Sequence, residues 1–187
     1  RAVEPFISSA ETRLLDYGCG LGYLYSHLIS EGYNLRYTGV DILPAFIQAC
    51  RTKYTDAAKF YTVSPTDQVE GNFDIVFSSG VFNIRTNSDR ATSKSKAFEK
   101  LKQLFSTTNY VMICDFPSPF VDFEQENAQH FDIGEVAEFC VTQLTRRFTL
   151  RHDLLPYEFT LIAYRDDRIR RPENFFTADA EQPISKI

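Results

Sequence analysis

Along the 187-residue chain, short apolar runs alternate with longer segments of helical period. The runs at 12–17, 36–41, 58–63, 73–78 and 109–115 are brief and rich in β-branched or aromatic residues, and they read as strands. Between them, 21–31, 44–55 and 91–106 read as helices. Pro44 stands where the first turn of a helix tolerates proline, and the third helix begins in the Thr92–Ser95 region with Lys96, Lys100 and Lys102 toward solvent. A fourth helix at 133–144 precedes two last runs, Phe148–His152 and Glu158–Arg165. Asp153, Leu154, Leu155 and Pro156 separate these runs, which predicts a hairpin and an antiparallel last strand. Such alternation predicts an α/β fold, a largely parallel sheet covered on both faces. The segment Ser64–Asn72 is too short and polar for a full helix, so one crossover is abbreviated.

Hydrophobic periodicity stops at Asp166. Residues 1–165 are expected to form one domain, and 166–187 an irregular C-terminal extension held by Phe175 and Phe176. With 43% hydrophobic and 24% charged residues, the chain has enough apolar side chains for one sizeable core.

Charge and cysteine usage narrow the partners. A formal net charge of -5 gives no general attraction to polyphosphate, so no nucleic-acid partner is expected. The dense basic group Arg165, Arg168, Arg170 and Arg171 is interleaved with Asp166 and Asp167 and reads as a solvated tail. Cys19, Cys50, Cys114 and Cys140 are scattered without a CxxC pair, as reduced structural thiols would be, and no metal is expected. No apolar run approaches the ~18 residues of a membrane span, and the first residues lack the features of a signal peptide. A cytoplasmic protein with no membrane partner is expected. Oligomeric state leaves no sequence signature.

The candidate chemistry begins at Leu14-Leu15-Asp16-Tyr17-Gly18-Cys19-Gly20-Leu21-Gly22, an apolar strand, an acid, and glycines at every second position leading into a helix. A turn of this kind lets a ligand approach backbone amides at a helix N-terminus. The third glycine of a dinucleotide fingerprint would fall at position 23, which is Tyr23. Asp16 at the strand end suits a cationic ligand group better than a pyrophosphate, and S-adenosylmethionine carries an ammonium and a sulfonium with no phosphate. The simpler reading is that Asp16 caps the helix or orders the turn. About twenty residues on, Tyr37-Thr38-Gly39-Val40-Asp41-Ile42 is a strand ending in an acid that can accept both ribose hydroxyls of an adenosine. Ile42 would pack on the adenosine or belong to the core. After the third strand, Asp67 could reach the adenine if its loop folds back, or that loop could supply only backbone groups.

Asp16-x-Gly18-x-Gly20-x-Gly22, Asp41 and Phe73-Asp74-Ile75-Val76-Phe77-Ser78-Ser79-Gly80 resemble motifs of the class I (Rossmann-like) S-adenosylmethionine-dependent methyltransferase family, over roughly residues 12–165. The resemblance implies a doubly wound seven-stranded sheet of order 3-2-1-4-5-7-6 with strand 7 antiparallel, and S-adenosylmethionine as cofactor. Ser79–Asn83 and the stretch from Arg151-His152-Asp153 through Tyr157-Glu158-Phe159-Thr160 are also similar to bacterial small-molecule-type members of poorly defined substrate. The resemblance puts Asp16, Gly18, Cys19, Gly20, Gly22, Asp41, Ile42, Asp67, Ser79 and Gly80 at the cofactor. Phe82, Asn83, Arg85 and Phe116 fall on the acceptor side, although a loop asparagine such as Asn83 equally serves a turn. Asp115-Phe116-Pro117-Ser118-Pro119-Phe120 superficially resembles the signature of nucleic-acid amino-methyltransferases but follows the fifth strand, and reads as a rigid loop lining the pocket. Phe116–Phe131, rich in aromatics and acids, suits a lid over an apolar or cationic acceptor.

A sulfonium methyl is already strongly electrophilic, so alignment and water exclusion carry most of the catalysis, and a base is needed only if the acceptor must lose a proton. Of His27, His130 and His152, none is assigned as that base. The favoured function is methyl transfer to a small molecule. An RNA or protein methyltransferase, a non-catalytic S-adenosylmethionine-binding domain acting with a partner, and a nicotinamide dehydrogenase are the competing readings; Tyr23 and Asp16 weigh against the last.

Overall fold

A computed structural model describes residues 2–85 and 89–165. Seven strands, β1 (Arg13–Tyr17), β2 (Arg36–Asp41), β3 (Lys59–Thr62), β4 (Phe73–Ser78), β5 (Thr108–Pro117), β6 (Phe148–Leu155) and β7 (Glu158–Tyr164), form one sheet of order β3-β2-β1-β4-β5-β7-β6. The first five are mutually parallel, while β7 runs antiparallel to both β5 and β6. The strand order expected from the family resemblance is therefore observed.

Helices α1 (Tyr23–Ser30), α2 (Pro44–Tyr54), α3 (Arg90–Ser106) and α4 (Ile133–Phe139) cover both faces. On one face Tyr25 and Leu28 of α1 and Ile47 and Cys50 of α2 bury against Leu14, Tyr37, Ile75 and Ile113, joined by Val3 near the N-terminus. On the other, Ala97, Leu101 and Leu104 of α3 and Val136 and Phe139 of α4 pack on Leu15, Val76, Met112 and Leu161. Alternation of side chains along each strand sorts these residues to opposite faces.

Several boundaries move, each for a local reason. Asp89 starts α3 earlier than the Thr92 region, because its carboxylate accepts from the amides of Ala91 and Thr92. The last predicted helix is α4 followed by a wider turn over Cys140–Leu144, closed by the Thr145 amide donating to Cys140 O at 2.7 Å. β5 runs on to Pro117, so Asp115, Phe116 and Pro117 are strand and only Ser118 onward is loop. The hairpin connection shortens to Pro156 and Tyr157, since Asp153–Leu155 extend β6 through an irregularity in its pairing. The crossover between β3 and β4 has no helix, as its composition predicts. The Arg165 guanidinium donates to the carbonyls of Phe105 and Ser106 at the C-terminus of α3, where a cation is favoured. The expected C-terminal extension, with Arg168, Arg170, Arg171, Phe175 and Phe176, lies outside the described residues. No helix among the described residues is long and apolar enough to cross a membrane.

Candidate functional site

The sheet reverses direction of winding between β1 and β4, and the crevice at the C-terminal ends of such strands is where open α/β sheets bind ligands. Here the crevice is bounded by the glycine turn after β1, the end of β2, and the turn after β4. Gly18, Gly20 and Gly22 all have positive φ, between +54 and +84°. A Cβ on Gly18 would stand 2.1 Å from Val81 Cγ2, and one on Gly22 would stand 2.7 Å from the Tyr54 ring, so these two glycines admit neighbours. Gly20 differs: among the described residues, nothing lies within 4 Å of the position its Cβ would take. The same openness holds at Gly80, beside exposed Ser79 at the other wall of the crevice.

Turn amides expected to meet a ligand are largely used within the protein. Gly18 and Cys19 both donate to Val40 O, at 2.8 and 2.9 Å, and Gly22 donates to Cys19 O at 2.9 Å. Gly20 donates to Asp41 Oδ2 at 2.9 Å. Ser26 is the first amide to bond back within α1, to Gly22 O, which leaves Tyr23, Leu24 and Tyr25 as the orphan donors of the helix start. The Cys19 side chain is 7% exposed and turned into the core, with burial pushing its thiol pKa up; Cys50 likewise donates to Gly20 O.

Asp16 is 3% exposed and accepts a hydrogen bond from the Tyr37 hydroxyl on β2. Burial pushes its pKa up to about 7; the Tyr37 hydroxyl works against that rise, and the charge of Asp41 adds to it. Asp16 does not cap α1, whose N-cap is Gly22 without a side-chain bond, so the capping alternative is set aside. Asp41, 8% exposed at the end of β2, holds Gly20 N on one oxygen and Leu43 N on the other, each at 2.9 Å. Carboxylate oxygens have lone pairs to spare after one bond each. Ile42 next to it is 54% exposed, which removes it from the core and leaves an apolar surface at the crevice rim. Asp67 folds its loop back on itself, accepting from Ser64 N at 2.7 Å, and remains exposed.

The residues expected on the acceptor side separate. Phe116 is 0% exposed, stacked with Phe82 and Phe159 and tilted against Phe131. Phe82 is 7% exposed, so both phenylalanines are core and neither offers a surface to an acceptor. Asn83 donates to Glu158 Oε1 at 3.3 Å, while its own Oδ1 is buried without a partner. The Arg85 amide donates to Asn127 O and Gln129 N donates to Asn83 O, tying the segment after β4 to the one after β5. The Phe116–Phe131 stretch is consequently part anchor and part surface, with Phe120 and Phe123 exposed. His27 pairs with Glu4; His130 Nδ1 meets Ser118 O at 2.7 Å; His152 Nε2 meets Ser118 Oγ at 2.8 Å. His152 of β6 thus reaches into the loop after β5.

A cavity of ≈ 150 Å³ that the motifs alone did not reveal lies on the α1 side of the sheet, lined in part by Leu24, Phe77, Asp115, Leu155, Glu158 and Thr160. Period-2 alternation puts Asp115 on one face and Glu158 with Thr160 on one face, but only the β5–β7 register shows that these faces coincide.

A family model described as a methyltransferase domain matches residues 8–149. Malonyl-[acyl-carrier protein] O-methyltransferase of Acetivibrio thermocellus is 30% identical over 77 residues, spanning 40% of this chain and 27% of that relative. Among solved structures, a TehB-like SAM-dependent methyltransferase from Corynebacterium glutamicum is similar with a TM-score of 0.59 and 15% identity, over 87% of this chain and 84% of that one. Human N-acetylserotonin methyltransferase, solved in complex with SAM, gives 0.61 and 13%, over 81% of this chain and 46% of that one. At such identities the structural likenesses establish the fold, and the family match over residues 8–149 settles membership: the chain belongs to the methyltransferase domain family.

Proposed function

We propose that this domain transfers the methyl group of S-adenosylmethionine to a small-molecule acceptor. The observation that carries the reading is Asp41, whose carboxylate bridges Gly20 N and Leu43 N at the crevice and keeps lone pairs free for two ribose hydroxyls. The open space over Gly20 and over Gly80 fits a ligand lying across the turn, since no side chain of the described residues fills either place. Ile42 offers its exposed surface to the adenosine, the Ser64–Asp67 loop borders the adenine end, and Asp16 supports the ammonium end. When bound, the cofactor supplies an electrophilic methyl on a sulfonium, and the protein's part is to orient the acceptor and exclude water. The net charge of -5 favours a small molecule over RNA. A cytoplasmic site of action belongs to the same proposal, supported by four cysteines that are all free.

Calorimetric titration with S-adenosylmethionine and S-adenosylhomocysteine, with NAD as control, tests the reading. Micromolar binding of the adenosyl ligands with no heat from NAD is expected. Absence of binding to both adenosyl ligands overturns it.

A further inference from the structure

Asp115 and Glu158 share the ≈ 150 Å³ cavity with apolar walls from Leu24, Phe77 and Leu155. By the measure in which a single water needs about 10–15 Å³, this is room for a small organic group. The cavity adjoins the crevice: Leu24 belongs to the first turn of the helix entered from the glycine turn, and Phe77 is the register partner of Asp16. Asp16, Phe77, Asp115 and Thr160 share one face of the sheet, by strand register and alternation.

The side-chain polar atoms that line this cavity, those of Asp115, Glu158 and Thr160, leave only acceptor capacity over after the bonds they make. Asp115 receives one neutral donor, the Thr160 hydroxyl at 2.7 Å, and Glu158 receives one, the Asn83 amide. Neither carboxylate has a lysine, arginine or histidine partner among the described residues. Behind Glu158, outside the cavity lining, Asn83 Oδ1 is buried with no donor among the described residues. Two half-buried carboxylates with no counter-cation among the described residues favour a ligand that brings positive charge and N–H groups. Burial and the charge of Asp115 raise the pKa of Glu158, the Asn83 bond opposing, which makes its carboxylate more basic than a free glutamate's.

We infer that the methyl acceptor is a small primary or secondary amine, seated with its nitrogen between Asp115 and Glu158 and its carbon skeleton against Phe77 and Leu155. This rests on the proposed methyl transfer. The amine enters as an ammonium and gives one proton to the Glu158 carboxylate, which frees its lone pair. That lone pair forms the new N–C bond as the C–S bond breaks and its electron pair stays on sulfur. The positive charge passes from sulfonium to the N-methylated ammonium, and Glu158 returns its proton to solvent.

Benzylamine, benzyl alcohol and benzoate serve as matched probes of the complex with S-adenosylhomocysteine, by calorimetry, and of turnover, by release of S-adenosylhomocysteine. Benzylamine is expected to bind and to be methylated at least tenfold better than either isostere. Glu158→Gln keeps the volume and an oxygen for Asn83; it is expected to lose at least tenfold in both amine affinity and kcat/KM, with affinity for S-adenosylhomocysteine within twofold of wild type. Equal response to amine and alcohol, or an unaltered Glu158→Gln, overturns the inference while cofactor binding leaves the proposed function standing. Loss of S-adenosylhomocysteine binding by the wild type would instead defeat the underlying reading.

Discussion

The carboxylate of Asp41 accepts the backbone N–H of Gly20 at 2.9 Å, linking the end of β2 to the glycine turn after β1. One side chain thereby shapes the turn and stands in the crevice the turn borders. Asp41→Ala should weaken S-adenosylhomocysteine binding by about 1–3 kcal/mol, the size of a lost charged hydrogen-bonding site. Asp41→Asn keeps one oxygen for the turn or for a ribose hydroxyl and should fall between. Calorimetry on both variants checks this, and unchanged affinity in Asp41→Ala removes the ribose assignment.

Gly20 and Gly22 should respond differently to alanine. Both carry positive φ, which costs a non-glycine residue about 1–2 kcal/mol. At Gly22 the added methyl also meets the Tyr54 ring, whereas at Gly20 it meets nothing among the described residues. Thermal unfolding should therefore drop further in Gly22→Ala. Gly20→Val should remain folded yet lose adenosyl-ligand binding, because its side chain enters the crevice; a folded Gly20→Val with normal affinity makes the turn purely structural.

Asp16 titrates near neutrality, with its pKa pushed up to about 7 by burial. A ligand ammonium beside it favours the carboxylate, so binding at pH 7 should release protons and affinity should rise as pH passes through 7. Titrations in phosphate and in Tris, whose ionisation enthalpies differ, report the released proton as a difference in heat. Equal heats in the two buffers would separate Asp16 from the ligand.

The same raised pKa sets a stability trend. A carboxyl whose folded pKa lies above its unfolded value of about 3.9 keeps its full contribution below pH 4 and loses it as pH rises toward 7, because the native state holds the proton longer. Asp16→Asn preserves an acceptor for Tyr37 and removes the titration. It should gain stability over wild type by an amount on the order of 2–4 kcal/mol at pH 8 and far less at pH 4. Urea unfolding at the two pH values measures the difference, and a gain independent of pH would contradict the assignment.

Phe116 should behave as core. Truncation to alanine removes a fully enclosed ring and should cost about 3–5 kcal/mol in urea unfolding, with adenosyl-ligand affinity of the folded protein retained. A variant of native stability with a raised KM for an acceptor would restore it to the substrate side.

Much of this was legible from residue order because the signals are local. Each strand needs only its own apolar run, and the glycine turn with Asp41 about twenty residues later needs only spacing. Boundaries escaped where a side chain decided them: the cap of α3 depends on the Asp89 carboxylate reaching two amides, and the length of β5 depends on pairing with β7 through Pro117.

Sequence by itself determined the strand and helix order, the place of the crevice and the acid at its rim, since periodicity, glycine spacing and a strand-ending acid are properties of neighbouring residues. The tertiary structure alone decided what those residues face. An alternating pattern cannot tell Phe116 in the core from Asp115 at a cavity until β7 is laid antiparallel against β5, bringing Thr160 to Asp115 and Asn83 to Glu158 from residues 45 and 75 positions apart. Burial, and with it the displaced proton affinity of Asp16 and Glu158, arises only when distant segments exclude water together.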